Sequence, residues 1–244
     1  LNAQQTVYND PNNVTYREAI SLFNQKNYGS AIATFDKYML EEPNTKSAFY
    51  ENATYYSAVC AVKLGAKDAV GRVKMFAADF PSSAWLPAIN FELGNIYYKD
   101  KKYSKALETY SKISASKLDG DQRTEYFYKK GYCQMKQSQF DQALASYSKV
   151  MKTKSSYSKP ANYYFAHIQY QKGNYNEALN GFKAIANDRK FKKHVPLYLI
   201  KIYYQLGQYD TVIEEGITFI SKAAKKDKGD IARLIANSYY NLEN

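Results

Sequence analysis

One phrase recurs along the chain, and it restricts the fold more than any other feature. An aromatic residue is followed three places later by a small residue and four places after that by another aromatic. The copies are Tyr28-Ala31-Phe35, Tyr103-Ala106-Tyr110, Phe140-Ala143-Tyr147 and Tyr175-Ala178-Phe182, with weaker ones at Ala66-Ala69-Val73 and Tyr209-Val212-Gly216. Their central residues are separated by 38, 37, 37, 35 and 34 positions. A repeat of this period means one supersecondary unit stacked many times. Steps of three and four place the phrase on one face of a helix.

A second apolar segment of helical period precedes each phrase. Examples are Phe91, Leu93, Gly94, Tyr97, Tyr98, and Tyr128, Gly131, Tyr132, Met135. Linkers such as Lys99–Lys102, Gln137–Gln139, Lys172–Asn174 and Leu206–Gln208 join the two. They are short enough to demand an antiparallel helical hairpin. The six prolines fall between hairpins or in the first turn of a helix, where a missing N–H costs little. No alternating strand pattern occurs. The expected fold is all-α. The small residues let the two helices of a hairpin cross closely, with Gly94, Gly131, Ala19 and Ala166 on the first helix answering the alanines on the second. The aromatics fill the wedge between hairpins, and stacking is obligatory because one hairpin cannot bury both faces.

These residues resemble the tetratricopeptide repeat, a 34-residue helix–turn–helix unit; the best copy is Leu93-Gly94, Tyr97, Tyr103, Ala106, Tyr110. The resemblance covers about residues 12–244. It departs from the pattern in having no Trp at the fourth place, in keeping the late Pro only as Pro43 and Pro81, and in several longer repeats. Such looser repeats are similar to those of bacterial envelope proteins. The resemblance implies an α-α superhelix of about six hairpins plus an extra C-terminal helix, with repeats at 12–49, 50–86, 87–123, 124–158, 159–192 and 193–228 and a partial one at 229–244.

Residues 1–11 read as a tail left after removal of a signal peptide, because Ala3-Gln4-Gln5 leads into a loose polar stretch. This points to an exported protein, periplasmic or outer-membrane-associated. Tyr239–Asn244 copies Tyr203–Gln208 and then stops. The expectation is therefore the N-terminal part of a longer exported protein, with a solvating cap helix as the alternative.

In the resembled family the first helices line a concave groove. Carried over place by place, the ligand positions are Asn95, Tyr98, Tyr128, Tyr132, Met135, Tyr163, His167, Tyr170, Lys201, Tyr204, Asn237 and Tyr240. Tyr and Asn suit peptide recognition through large contact area, few rotors and hydrogen bonds to backbone. The same tyrosines could instead pack one repeat on the next. The family's carboxylate clamp is not reproduced, since Asn95 follows Phe91 where a Lys is needed, and Arg233 with Asn237 stands only in the last repeat. A second surface is expected from charge. The chain carries 34 Lys+Arg against 23 Asp+Glu, and Lys152, Lys154, Arg189, Lys190, Lys192, Lys193, Lys225 and Lys226 fall in connections that would align as a basic ridge; solvated loops are the alternative.

The same residues exclude several classes. Only five of the 34 basic residues are Arg, which argues against a nucleic-acid partner. No apolar run is long enough to span a membrane, which leaves peripheral envelope association open. His167 and His194 have no metal-spaced partners, and Cys60 and Cys133 lie two repeats apart and read as packed thiols. Lys63–Lys67 is no phosphate loop. No catalytic residue, metal or cofactor is expected. The expected function is a non-catalytic scaffold that binds a protein or peptide. The alternatives are a structural subunit docking through the ridge and a regulatory arm of a larger protein.

Overall fold

The computed structural model describes residues 14–243, so the N-terminal tail read from the sequence lies outside the described residues. Thirteen α-helices and no strand occur among them: α1 Val14–Asn24, α2 Tyr28–Glu41, α3 Ala48–Leu64, α4 Ala69–Asp79, α5 Leu86–Lys99, α6 Tyr103–Ser111, α7 Gly120–Lys136, α8 Phe140–Met151, α9 Ser158–Gln171, α10 Tyr175–Lys183, α11 Val195–Gln205, α12 Tyr209–Ile220 and α13 Lys225–Glu243. A single 3₁₀ turn, Ala115–Lys117, precedes α7. The all-α expectation holds, and the phrase marks the second helix of each pair: α2, α6, α8, α10 and α12 all open on its first aromatic.

The helices divide into two compact units, Leu1–Tyr126 and Phe127–Asn244, with the division inside α7. In the first unit α1 packs on α2, α2 on α3, α3 on α4 and on α5, and α5 on α6. Its core is a chain of small clusters, one around Ala19, Ala31, Phe35 and Tyr38, the next around Ala58, Val73, Phe76 and Ile89. In the second unit α8 packs on α9, α9 on α10, and so on to α13. Its clusters centre on Ala143, Tyr147 and Ile168, then on Ala178, Phe182, Ile202 and Val212. Such nearest-neighbour packing is what a repeat unit with two apolar faces produces.

Small residues sit where the packing argument needs them. Ala31, Ala106, Ala143 and Ala178 are completely buried. A Cβ built on Gly94 would lie 2.3 Å from Cε1 of Tyr110, and one on Gly131 would lie 3.0 Å from Cε1 of Tyr147. At Gly181 it would meet the Ala166 Cβ at 2.8 Å.

The hairpin turns share one geometry. Lys26, Gly65, Lys101, Ser138, Gly173 and Gly207 all adopt positive φ. In each turn the next residue's N–H reaches back five residues, as Asn27 does to the Leu22 carbonyl and Lys102 to the Tyr97 carbonyl. That pair of features is the Schellman stop. Lysine at two of these places carries a steric cost that glycine avoids.

One polar cluster crosses three helices of the first unit. The Arg72 guanidinium on α4 donates to both carboxylate oxygens of Asp36 on α2, at 2.7 and 2.8 Å, and to the Ser57 hydroxyl on α3 at 2.8 Å. Its Nε donates to Asp68 at 2.7 Å. The Asp36 carboxylate, with burial opposing and Asp68 adding to it, holds the Arg72 proton more tightly than usual. The hydrogen bond from Arg72 lowers the Asp68 pKa.

Candidate functional site

The expected ligand positions fall on first helices, and each unit presents its own set. In the first unit Asn95 and Tyr98 are half-buried on α5. The Asn95 amide oxygen accepts from the Tyr110 hydroxyl at 2.8 Å, and the Tyr98 ring meets Tyr103 edge-on across the hairpin.

The second unit carries all of the rest. Tyr128, Tyr132 and Met135 come from the end of α7, Tyr163, His167 and Tyr170 from α9, Lys201 and Tyr204 from α11, and Asn237 and Tyr240 from α13. All but Tyr240 are half-buried, and Tyr240 is exposed. Positions spaced three and four apart on each first helix account for this, since they share one face.

Rings tie the helices together. Tyr128 lies 4.9 Å from Tyr157 and 6.2 Å from Tyr147, and Tyr132 meets Tyr164 edge-on at 5.3 Å. Tyr163 stacks on Phe191 at 5.3 Å and touches Phe182 and Tyr198. Tyr198 also faces His167 and Tyr170 and stacks on Phe182 at 4.8 Å. Tyr128 and Tyr163 therefore wedge between consecutive hairpins, while Met135 packs at the edge of the Tyr147 cluster and Tyr204 meets Tyr209 edge-on.

Burial sets the electrostatics of this face. It raises the phenol pKa values of Tyr128, Tyr163 and Tyr170, and at Tyr163 a hydrogen bond with Tyr198 adds to the effect. Burial lowers the His167 pKa, which favours a neutral imidazole. Lys201 donates to Asp230 on α13 at 3.0 Å, and this bond holds the Asp230 carboxyl below its ordinary range. The face is thus mainly aromatic with hydrogen-bonding tips, and the Lys136 ammonium stands 5.4 Å from the Tyr132 ring centroid.

Tyr198, Tyr164 and Tyr157 belong to this network and were missed by place-by-place transfer. The signal for Tyr198 was present, because the same 35-residue step leads from Tyr128 to Tyr163 and on to Tyr198.

The ridge lysines are exposed, and part of the set is drawn together. Lys154 and Lys190 line one 440 Å³ hollow with Lys159 and Asp188. Lys159 donates to Asp188 at 2.7 Å and the Lys190 backbone N–H donates to the same carboxylate at 2.8 Å, which lowers its pKa. Lys152 caps the C-terminus of α8, and Arg189, Lys192 and Lys193 follow α10. Lys225 and Lys226 differ from expectation. They occupy the first turn of α13 instead of a connection, because Lys and Asp are compatible with a helix that begins six residues before its first buried apolar residue, Ile231.

Both cysteines are free and buried. Burial pushes the Cys60 thiol up to about 11 and the Cys133 thiol up to about 12. Among the described residues no cluster of His, Cys, Asp or Glu could hold a metal ion, and no helix is long and apolar enough to cross a membrane.

Comparison with known proteins agrees with this geometry. Residues 125–153, the α7–α8 hairpin, match the tetratricopeptide repeat family model. No curated protein sequence matches the chain significantly. Similar solved structures include a tetratricopeptide repeat protein from Parabacteroides merdae, at 14% identity and TM-score 0.56, covering 95% of this chain and 89% of that one. Pseudomonas aeruginosa pilF is similar at 14% identity and TM-score 0.57 over 95% of this chain and 99% of its own. PilW, described as a widely conserved type IV pilus biogenesis factor, is similar at 20% identity and TM-score 0.50 over 87% and 94%. The chain has the fold of tetratricopeptide repeat proteins.

Proposed function

We propose that the chain is a non-catalytic scaffold that binds a protein or peptide on its first-helix face, within the bacterial cell envelope. The observation that carries this reading is the aromatic face of the second unit. There Tyr132, His167, Tyr170 and Tyr204 are half-buried beside rings that hold them rigid. Rigid amphipathic rings give contact area at small entropic cost. The His167 imidazole, whose pKa burial lowers, and the Lys201–Asp230 pair supply polar tips beside the rings. The ligand is therefore an extended peptide segment contacted through backbone and apolar side chains. The envelope location is supported by likeness to PilW, whose own description is type IV pilus biogenesis.

Affinity capture with the intact protein identifies the partner, and titration with that purified partner then tests the face. Tyr132→Ala with Tyr170→Ala should weaken binding at least tenfold while helix content stays unchanged. Unchanged affinity would refute the aromatic-face reading. The second reading, docking through the basic ridge, is favoured by the shared hollow of Lys154 and Lys190. Charge reversal at Lys190, Lys192 and Lys193 would then abolish binding.

A further inference from the structure

The first unit holds a cleft that the reading above does not use. It lies between α4 and α6, is floored by α5, and measures 490 Å³. That is within the range of about 300–1,000 Å³ typical of ligand clefts. The floor is a stripe at helical spacing, Leu86, Asn90, Leu93 and Tyr97. Those steps of four, three and four residues put the stripe on one face of α5, opposite Asn95 and roughly 100° from Tyr98. The cleft therefore uses a different face of α5 from the one that carries Asn95.

The walls are cationic. Lys74 stands on α4, Lys105 on α6, and Lys112 caps the C-terminus of α6. The one acidic lining residue, Glu108, pairs with Lys112 at 3.3 Å, and both side chains are largely solvent-exposed. Among the described residues neither Lys74 nor Lys105 is paired with a carboxylate. Lys105 and Lys112 are two helical turns apart, about 10 Å along the axis. An extended peptide covers that distance in about three residues. The same lining includes the Asn90 side chain and apolar Leu86 and Leu93.

We propose that this cleft binds a short acidic peptide segment, with carboxylates about three residues apart and an apolar side chain between them. The carboxylates meet Lys74, Lys105 and Lys112, and the apolar side chain rests on Leu86 and Leu93. Charge complementarity selects the acidic ligand, and the apolar floor selects a peptide over a bare anion.

The test is fluorescence polarisation of the whole chain with a labelled six-residue probe, Asp-Glu-Leu-Gly-Glu-Asp, at low and high salt. Binding should weaken as salt rises. Replacing leucine with serine in the probe should weaken it at least fivefold. Lys74→Glu with Lys105→Glu, and separately Ala77→Trp, which fills the cleft without altering charge, should each cost at least tenfold, while charge reversal at Lys190, Lys192 and Lys193 should change affinity less than twofold. The urea midpoint of every variant confirms folding, and Lys105→Gln replaces any variant that does not fold. The proposal is overturned if the probe fails to bind at millimolar protein. It is equally overturned if the serine probe or inorganic phosphate competes as well as the leucine probe, or if loss follows the reversal at Lys190, Lys192 and Lys193 instead.

Discussion

Gly94→Ala should destabilise the first unit although alanine is the better helix former. The added Cβ would lie 2.3 Å from Cε1, 2.6 Å from Cδ1 and 3.0 Å from Cζ of Tyr110. Carbon atoms in contact prefer about 3.5–4.0 Å, so the ring or the α5–α6 spacing must give by about 1 Å. The ring has little room to retreat. Tyr110 is completely buried, its hydroxyl is bonded to Asn95, and Tyr126 stands edge-on to it at 5.7 Å. Tyr126 also donates to the Tyr110 carbonyl at 3.1 Å, which anchors the backbone on that side. Overpacking of this kind costs about 1–3 kcal/mol, and the clash places it in the upper half of that range. The gain in helix propensity offsets about 1 kcal/mol. A net loss of about 1–2 kcal/mol remains. Urea unfolding followed by circular dichroism measures it against two controls. Gly71→Ala, with nothing near its added Cβ, should gain up to about 1 kcal/mol. Gly131→Ala, where the nearest atoms are 3.0 and 3.2 Å away, should fall between the two. Pairing Gly94→Ala with Tyr110→Leu should make the glycine substitution cheaper than it is alone. If Gly94→Ala proves as stable as Gly71→Ala, the close-approach argument for the small residue is wrong.

Other outcomes follow from the same structure. Lys101→Gly should raise stability by about 1 kcal/mol, because Lys101 sits at φ 59° in a left-handed stop; a lower urea midpoint would contradict this. Arg72→Lys should cost about 1–2 kcal/mol, since a single ammonium cannot span Asp36, Ser57 and Asp68 together; the urea midpoint checks it. Cys60 and Cys133 should resist thiol reagents in the native state and react on unfolding. One lies in each compact unit, so their rates in rising urea report the units separately, and fast labelling without denaturant would refute the packing. Burial depresses the His167 pKa in the folded chain, so below the ordinary histidine range the unfolded chain binds the extra proton first and stability falls with pH. His167→Phe should flatten the stability profile between pH 7.5 and 5, and an unchanged slope would exclude this source.

The hairpins were legible in the residues because their causes are local. The aromatic–small–aromatic phrase is satisfied by helical spacing and by contact with the adjoining helix, so Tyr103, Ala106 and Tyr110 carry their own instructions. Proline placement and short linkers act over similarly few residues. Positions such as Tyr132 and Tyr170 could be assigned to a face, since a face follows from period alone. What each ring touches could not be read this way. Tyr198 meets Tyr163, His167 and Tyr170 only because α9 and α11 lie side by side. Arg72 looks like any surface cation until α2 and α3 bring Asp36 and Ser57 to it, 36 and 15 residues away in sequence. The left-handed turns at Lys26 and Lys101 are likewise invisible in composition, because hairpin closure imposes φ there against the residue's own preference. The lysine-walled cleft exists only because α4 and α6 stand apart over α5. Period and residue size act along the chain and between neighbours, whereas side-chain partnership and empty space depend on where distant helices come to rest.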